Sequence, residues 1–260
     1  MTKQFCVFGN PIAHSLSPLM HNYAFHHLRQ QLGFVGSYGR VLLENPLLLK
    51  DKFLELGLDG ANITTPFKEE AFRQCECIDP LAHKIRAINT WVKKDGVIHG
   101  YNTDAMGFYE TIRDFGFHSA LVLGSGGAAR AVAYGLLEKG ISVSILSRRL
   151  DSALARDFEN HTPESFTPRS HELIINATSA SLQDSLPFDA PLLREIFKSA
   201  KYAYDLAYSA QGTPFLRLAS EFVPAQDGKM MLIAQGVLAF ELFCGRQIPR
   251  VAALMRQALN

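Results

Sequence analysis

Ala120-Leu-Val-Leu-Gly-Ser-Gly-Gly-Ala-Ala129 lies near the middle of the chain and joins an apolar run to a glycine-rich turn. The turn comprises Gly124, Ser125, Gly126, Gly127 and Ala128, and apolar residues follow at helical spacing, at Val132, Leu136 and Leu137. This order matches the pattern G-x-G-x-x-A between a strand and a helix. Glycines let the backbone approach a pyrophosphate, and the free N–H groups of a helix N-terminus attract anions. The segment therefore predicts a dinucleotide-binding unit.

The next apolar run, Val143 to Leu146, ends in Ser147, Arg148 and Arg149. A site for NAD usually carries an acidic residue about 20 residues after the turn, to bind the ribose 2′-hydroxyl. Here two arginines occupy that neighbourhood, and a planar guanidinium suits a 2′-phosphate. The pattern favours NADP as the cofactor. The alternative is that both arginines are ordinary solvated residues at the end of a strand.

The composition narrows the class of protein. The chain has 260 residues, 47% of them hydrophobic and 20% charged, with a net charge of +1. These values suit one large or two modest globular domains and give no reason to expect a nucleic-acid partner. No apolar run approaches the roughly 18 residues of a membrane span, and the start of the chain does not resemble a signal segment. We therefore expect no membrane partner, and a small molecule as the substrate.

The four cysteines are Cys6, Cys75, Cys77 and Cys244, and they form no second pair at zinc-site spacing. We expect reduced thiols in a cytoplasmic protein and no metal. The sequence leaves the oligomeric state open, a homodimer included.

Strand-like and helix-like patterns alternate along the chain, which predicts an α/β fold with mostly parallel strands. Upstream of the glycine turn, strands are expected near Phe5–Phe8, Val35–Leu42 and Gly60–Ile63, and Asp95-Gly96 predicts a hairpin. A later strand is expected near Phe222–Ala225, and only a short helical pattern lies between residues 149 and 170. We expect a substrate domain followed by a Rossmann-type NADP domain, with the active site in the cleft between them.

Ser15 and Ser17 lie between the first predicted strand and the first predicted helix, in Gly9-Asn-Pro-Ile-Ala-His-Ser-Leu-Ser-Pro18. Two hydroxyls near a helix N-terminus can bind a carboxylate. Simple N-capping is the alternative, but it explains only one of the two serines.

Lys68 ends the motif Asn62-Ile-Thr-Thr-Pro-Phe-Lys68, between a predicted strand and a predicted helix. A cation in the first turn of a helix is disfavoured by the helix dipole, so its position indicates function, although it could also be a solvated lysine beside two glutamates. Asp104 ends Gly100-Tyr-Asn-Thr-Asp104 and is either a functional carboxylate or the N-cap of the next helix. If they form a pair, the two groups would titrate as one coupled unit. Asn89 is a candidate partner for substrate hydroxyls, or else a turn asparagine.

With these motifs assembled, the whole chain resembles the shikimate dehydrogenases, NADP-dependent enzymes of aromatic biosynthesis that interconvert 3-dehydroshikimate and shikimate. The motif Asn176-Ala-Thr-Ser179 adds to the resemblance. The resemblance implies two domains, residues 1–104 with 236–260 for substrate binding and catalysis, and residues 105–235 for NADP. It also implies that the final helices return to the first domain.

The resemblance assigns a role to each site residue. Lys68 and Asp104 would form the catalytic pair, and Ser15 and Ser17 would bind the carboxylate. The other substrate contacts would come from Asn62, Thr64, Asn89, Tyr208 and Gln235. Besides the glycine turn and Ser147 to Arg149, the cofactor would contact Thr178, Leu206 and Gly228.

The chain departs from the family pattern at two places. Ser147 stands where an asparagine is common, and Met230 stands at the second glycine of D-G-L-G. The competing hypotheses are a quinate or mixed quinate/shikimate dehydrogenase, which could use NAD, and a binding protein without catalytic activity. Retention of both Lys68 and Asp104 disfavours the latter, because binding alone needs no proton-transfer pair.

Overall fold

The structure is a computed structural model that describes residues 1–152 and 154–260. The chain folds into two compact units, each of which is described separately below. The first contains Met1–Gly107 and Leu232–Asn260, and the second contains Phe108–Met231. The final helices therefore group with the first unit, and the unit boundaries fall within two helices.

The elements up to the first boundary alternate as the sequence predicts. In chain order they are β1 (Thr2–Gly9), α1 (Ser17–Leu32), β2 (Val35–Leu42), α2 (Leu49–Glu55), β3 (Gly60–Ile63), α3 (Lys68–Arg73), β4 (Cys77–Ile78), α4 (Pro80–Ile85), β5 (Thr90–Lys94), β6 (Val97–Tyr101) and α5 (Thr103–Ile112).

The remaining elements are β7 (Ser119–Leu123), α6 (Gly127–Leu137), β8 (Ser142–Leu146), β9 (Glu159–His161), β10 (Leu173–Asn176), α7 (Ala190–Lys198), β11 (Tyr202–Asp205), α8 (Pro214–Ala219), β12 (Ala225–Gln226), α9 (Lys229–Cys244) and α10 (Val251–Gln257). No helix of the described residues is both long enough and apolar enough to span a membrane.

The first unit contains a mixed six-stranded sheet in the order β2-β1-β3-β5-β6-β4. Strands β2, β1 and β3 are parallel, whereas β5 runs antiparallel to both β3 and β6. The Asp-Gly hairpin is confirmed, because Asp95 and Gly96 both have positive φ between β5 and β6. Phe5 packs against Phe25 of α1 and Phe243 of α9, which explains why the C-terminal helices belong to this unit.

The second unit contains a six-stranded sheet in the order β12-β11-β10-β7-β8-β9, and every strand pair in it is parallel. When β7 is counted as the first strand of this unit, the order reads 3-2-1-4-5-6, which is the strand order of a Rossmann fold. The direction of winding reverses between β7 and β10, so their carboxyl ends form the crevice where such folds bind dinucleotides. Strands β7 and β10 are buried because both of their faces are covered.

Two details differ from the sequence prediction. Strand β12 covers Ala225–Gln226 rather than Phe222–Ala225, since the N–H groups of Phe222 and Val223 both bond to the carbonyl of Ala219. The region between residues 149 and 170 also contains strand β9. This strand is short, polar and at the sheet edge, so it carries no apolar alternation that could reveal it.

Candidate active site

The loops that follow β1 and β3 lie close together at the carboxyl end of the first sheet. A Cβ atom at Gly9 would lie 2.6 Å from Cγ2 of Thr64, so any larger residue would force the Thr64 side chain to shift. The N–H of Asn10 donates to the carbonyl of Thr65 at 3.1 Å, and each loop contains a cis prolyl bond. The contact brings the loop with both candidate serines beside the loop that leads to Lys68.

Ser15 and Ser17 differ in how their hydroxyls are used. The Ser15 hydroxyl accepts from the N–H of Ser17 at 3.3 Å, and Arg40 donates two hydrogen bonds to the Ser15 carbonyl. Ser17 is the first residue of α1, the N-cap position is Leu16, and no side chain caps the helix. The Ser17 hydroxyl therefore makes no hydrogen bond to any described residue. Simple N-capping does not account for Ser17, and Arg40 places a cation close to both serines.

Lys68 and Asp104 form an ion pair, with 2.7 Å between Nζ and Oδ2. Their side chains are 17% and 9% exposed, so the pair is largely shielded from solvent. Lys68 begins α3, and its carbonyl accepts from the N–H of Ile88 at 2.9 Å. The position of this cation at a helix N-terminus is explained by Asp104, which offsets the unfavourable dipole.

Asp104 is not the N-cap of its helix, which corrects one of the two sequence interpretations. Helix α5 begins at Thr103, and Oδ1 of Asn102 accepts from the N–H groups of Asp104 and Ala105 at 3.1 and 3.4 Å. Asn102 also donates to the carbonyl of Ala87 at 2.8 Å. Because Asn102 caps the helix, the Asp104 carboxylate is free to pair with Lys68.

Asn89 is an interior residue, 3% exposed, rather than a turn asparagine. Its Oδ1 accepts from the N–H of Thr103 at 2.8 Å, and its Nδ2 donates to the Thr103 hydroxyl at 2.9 Å. Thr103 directly precedes Asp104. Asn89 therefore fixes the start of α5 and, through it, the position of the Asp104 carboxylate.

Gln235 joins these residues in the first unit through α9. A Cβ atom at Gly107 would lie 2.7 Å from the Cβ and backbone nitrogen of Gln235, so α5 and α9 pack at close range. The Gln235 side chain is partly exposed and donates to the carbonyl of Leu232 at 2.7 Å. Its amide oxygen remains available as an acceptor.

The glycine turn of the second unit has the geometry that an anion site needs. Gly124 has a φ of +114°, and a Cβ there would lie 3.2 Å from Cγ2 of Thr178. Gly126 is the N-cap of α6, and a Cβ there would meet no atom within 4 Å. The first glycine serves the protein's own packing, whereas the second leaves open space at the helix N-terminus. That space is where a pyrophosphate could approach.

Thr178 lies across the crevice from the turn and is held by a chain of buried polar groups. Oδ1 of Asn176 accepts from the N–H and hydroxyl of Thr178 at 3.1 and 2.7 Å. Asn176 in turn donates to Asp205, which also accepts from the hydroxyls of Ser181 and Thr213 at 2.6 Å each. Burial raises the pKa of Asp205, and these hydrogen bonds oppose the rise.

Arg148 and Arg149 are exposed at the carboxyl end of β8, next to the turn. Neither guanidinium makes an ion pair or hydrogen bond with any described residue, whereas the buried Ser147 donates its hydroxyl to the carbonyl of Arg149 at 2.6 Å. Both guanidinium groups are therefore free to bind a phosphate, and Ser147 fixes the backbone that carries them.

Gly228 packs directly on Leu206, since a Cβ at Gly228 would lie only 2.0 Å from the Leu206 carbonyl oxygen. The N–H of Gly228 also donates to the carbonyl of Ala207 at 3.1 Å. Tyr208 follows on the same loop, and burial, then the charge of Asp227, raises the pKa of its phenol. These candidates belong to the second unit, whereas Lys68 and Asp104 belong to the first.

Several polar residues around these candidates escaped sequence analysis, namely Tyr38, Thr90, Asn102, Thr103 and Asp205. Asn102 had a usable signal, because asparagine before a helical pattern is a common N-cap. The others depend on partners far away in the chain. No cluster of His, Cys, Asp or Glu that could bind a metal occurs among the described residues.

Comparison with known proteins shows the family of the chain. Residues 7–91 match the family model for the shikimate dehydrogenase substrate binding domain. The chain is 49% identical to the NADP-dependent shikimate dehydrogenase of Helicobacter pylori, across 95% of this chain and 94% of that protein. It is 45% identical to the corresponding enzyme of Helicobacter hepaticus, across 98% of each chain.

Solved structures give the same result. The crystal structure of shikimate 5-dehydrogenase from Thermus thermophilus in complex with NADP(H) and shikimate superposes with a TM-score of 0.82. That protein is 36% identical to this chain, and the match covers 98% of this chain and 99% of the other. From sequence, fold and site together, the chain belongs to the shikimate dehydrogenase family.

Proposed function

We propose that this protein catalyses the reversible reduction of 3-dehydroshikimate to shikimate with NADPH, within chorismate and aromatic amino acid biosynthesis. The observation that carries the proposal is the shielded ion pair between Lys68 and Asp104, 2.7 Å apart, at the carboxyl end of the first sheet. A ketone that gains a hydride becomes an alkoxide, which needs a proton from a positioned group. A lysine held by a carboxylate is such a group.

Substrate binding is assigned to the first unit. The free Ser17 hydroxyl, the Ser15 hydroxyl and the nearby Arg40 side chain form a polar, cationic patch for the substrate carboxylate. Thr64 and the Asn62 amide lie on the adjacent loop and strand, and Asn89 holds the helix that carries Asp104. Gln235 offers one more acceptor for a hydroxyl group. Tyr208 is the substrate contact proposed from the second unit.

Lys68 supplies the proton in the direction of reduction and accepts it in the direction of oxidation. In the direction of reduction, one N–H of the Lys68 ammonium stays on Oδ2 of Asp104, and another faces the ketone oxygen and transfers its proton to that oxygen as the carbonyl carbon gains the hydride. Asp104 keeps Nζ in place while Lys68 changes its charge, which preserves the geometry between steps. In the direction of oxidation, the neutral amine accepts the hydroxyl proton.

The second unit suits NADP in two respects. The open space at Gly126 suits a pyrophosphate at the N-terminus of α6, and the unpaired guanidinium groups of Arg148 and Arg149 suit a 2′-phosphate. When bound, NADPH supplies the hydride. Thr178 follows β10 at the crevice, Leu206 follows β11 and packs against Gly228, and all three are proposed to hold the nicotinamide end.

The test is a set of four oxidation assays on the purified protein, with shikimate or quinate as substrate and NADP or NAD as cofactor. We expect rapid reduction of NADP with shikimate and weak activity in the other three mixtures. Rapid oxidation of quinate, or a preference for NAD, would reassign the protein as a quinate dehydrogenase. If no mixture shows activity but calorimetry detects shikimate binding, the protein would instead be a binding protein.

We also propose a cytoplasmic location and a homodimer in solution. The four cysteines are all free, which suits a reducing compartment. Strand β2 is a sheet edge with exposed Val35 and Leu42 at its two ends, and these apolar side chains suit contact with a second copy. Light scattering coupled to size exclusion would measure the mass, and a mass near 29 kDa rather than twice that value would contradict the dimer.

A further inference from the structure

Tyr38 is a buried tyrosine on the edge strand β2 that the catalytic proposal does not use. Its hydroxyl lies 2.6 Å from Oδ1 of Asn62, and the side chain is buried. Asn62 lies on β3 and is itself only 7% exposed. The contact therefore connects the edge of the sheet to a residue proposed to bind substrate.

The two ends of the Asn62 amide are identified by one partner that cannot reverse its role, the backbone carbonyl of Asn89. Nδ2 of Asn62 lies 3.3 Å from the backbone carbonyl of Asn89 and 3.0 Å from Oγ1 of Thr90. A carbonyl only accepts hydrogen bonds, so the nitrogen end of the amide must face it. Oδ1 must then face Tyr38, and the phenol must be the donor.

Thr90 reinforces this orientation. Its hydroxyl donates to Oδ1 of Asn89 at 2.9 Å, and that oxygen is identified as an acceptor by the N–H of Thr103. Because the single proton of Thr90 is used there, Oγ1 of Thr90 accepts from Asn62. A series of hydrogen bonds with defined donors thus runs from Tyr38 through Asn62, Thr90 and Asn89. The N–H of Thr103, which identifies the Asn89 oxygen as an acceptor, lies beside Asp104.

Tyr38 itself is held from two sides. The side-chain amide of Asn22 accepts from the N–H of Tyr38 and donates to its carbonyl, both at 2.8 Å. The phenol ring stacks on His21 of α1 with 4.3 Å between centroids and 4° between planes. Burial raises the pKa of Tyr38 well above its usual range, so the phenol stays protonated at every working pH.

The consequence for a ligand follows from counting hydrogen bonds. Both N–H groups of Asn62 are used inside the protein, and Oδ1 has accepted one hydrogen bond and can accept one more. Asn62 can therefore offer a substrate only an acceptor. A ring hydroxyl of the substrate can donate a hydrogen bond to Oδ1 of Asn62. A substrate group that can only accept finds no donor on this side chain.

We infer that Tyr38 is a positioning residue for substrate specificity, which presents the Asn62 carbonyl oxygen as the acceptor for one ring hydroxyl of the substrate. The inference rests on the proposed function, because Asn62 must contact substrate for it to apply. Tyr38 acts through Asn62 and needs no contact with the substrate itself.

The experiment compares Tyr38→Phe with the unaltered protein, using shikimate and its 4-deoxy and 5-deoxy analogues with NADP. This substitution removes the hydroxyl but keeps the ring on His21 and the backbone bonds to Asn22. We expect KM for shikimate to rise about fivefold to tenfold, the range for losing one oriented hydrogen bond, with a smaller change in kcat. Tyr23→Phe is the matched control, since the half-buried Tyr23 ring packs against His27 and its hydroxyl bonds to no described residue.

The analogues separate positioning from a structural effect. If Asn62 accepts from one hydroxyl, the analogue that lacks it loses affinity in the unaltered protein and loses much less in Tyr38→Phe. Equal penalties in both proteins for both analogues would overturn the inference. Inactivity of the unaltered protein towards shikimate would instead refute the proposed function.

A second variant covers the case in which Tyr38→Phe does not fold. Thr90→Val removes the acceptor for Nδ2 of Asn62 at nearly constant volume, whereas Thr90→Ser retains it. We expect Thr90→Val to reproduce the loss of discrimination and Thr90→Ser to restore it. Full discrimination in Thr90→Val would contradict this series of hydrogen bonds.

Discussion

Substitution of Gly126 by alanine tests the cofactor site with little interference from the fold. Gly126 has a φ of −71° and a ψ of −179°, which any residue adopts, and an added Cβ meets no atom within 4 Å. The folded protein therefore has room for the methyl group. A bound pyrophosphate does not, if the backbone approaches it as in other dinucleotide sites.

The effect on stability is the difference between two small terms. Alanine reduces the freedom of the unfolded chain, which stabilises by about 0.4–1 kcal/mol. Glycine is a better N-cap than alanine, and losing it costs about 0.5–1 kcal/mol. These terms nearly cancel, so we expect the melting temperature without cofactor to change by less than about 2 °C. We expect KM for NADP to rise at least about tenfold, equivalent to about 1.4 kcal/mol.

The assay combines thermal unfolding followed by circular dichroism with initial rates at varied NADP. Gly39→Ala is the matched control, because its added Cβ also meets no atom within 4 Å, but the residue lies on β2 of the first unit. We expect Gly39→Ala to leave KM for NADP unchanged. An unchanged melting temperature and an unchanged KM in Gly126→Ala would refute the reasoning, because the turn would then not lie against the cofactor.

Three further predictions concern the catalytic pair, the 2′-phosphate and a buried histidine. Lys68→Ala should lower kcat by roughly 10²-fold or more with a smaller change in KM for shikimate, and near-normal turnover would remove Lys68 from catalysis. Arg148→Ala should weaken NADP by about 1–3 kcal/mol and leave NAD nearly unaffected, as measured by cofactor titration; equal losses for the two cofactors would mean that Arg148 does not touch the 2′-phosphate. Burial lowers the pKa of His21 from 6.5 to about 3, and neither ring nitrogen bonds to a described residue. Below about pH 6.5 His21 is therefore protonated in the unfolded chain but stays neutral in the folded chain. The free energy of unfolding consequently decreases as the pH falls. Between pH 8 and pH 5 the unaltered protein should lose about 2 kcal/mol more than His21→Leu in denaturant titrations, and parallel pH profiles would show that His21 is not buried as a neutral group.

Local patterns were sufficient for most of the secondary structure and for the main motifs. The glycine turn, the Asp-Gly hairpin and the strands near Phe5 and Gly60 follow from periodicity and backbone preference, which involve only neighbours in the chain. Strand β9 could not be predicted, because a three-residue polar edge strand exists only where β8 offers a partner.

Within the site, sequence identified the residues with reactive groups but not what holds them. Asp104 was as plausible an N-cap as a functional carboxylate, and only the position of Asn102 resolves the choice. Asn89 was equally a turn residue until its bonds to Thr103 were known.

The sequence by itself therefore predicted the Rossmann-type unit and the preference for NADP, since each depends on residue type and short spacing, whereas the Lys68–Asp104 pair was implied by the resemblance to a family. Only the tertiary structure decided which way the Asn62 amide faces, why Tyr38 must donate to it, and how Asp205 supports Asn176. These partners lie 24 to 29 residues apart in the chain. The order of the strands in each sheet brings them within hydrogen-bond distance. In a buried site each donor must then find an acceptor, which no local pattern specifies.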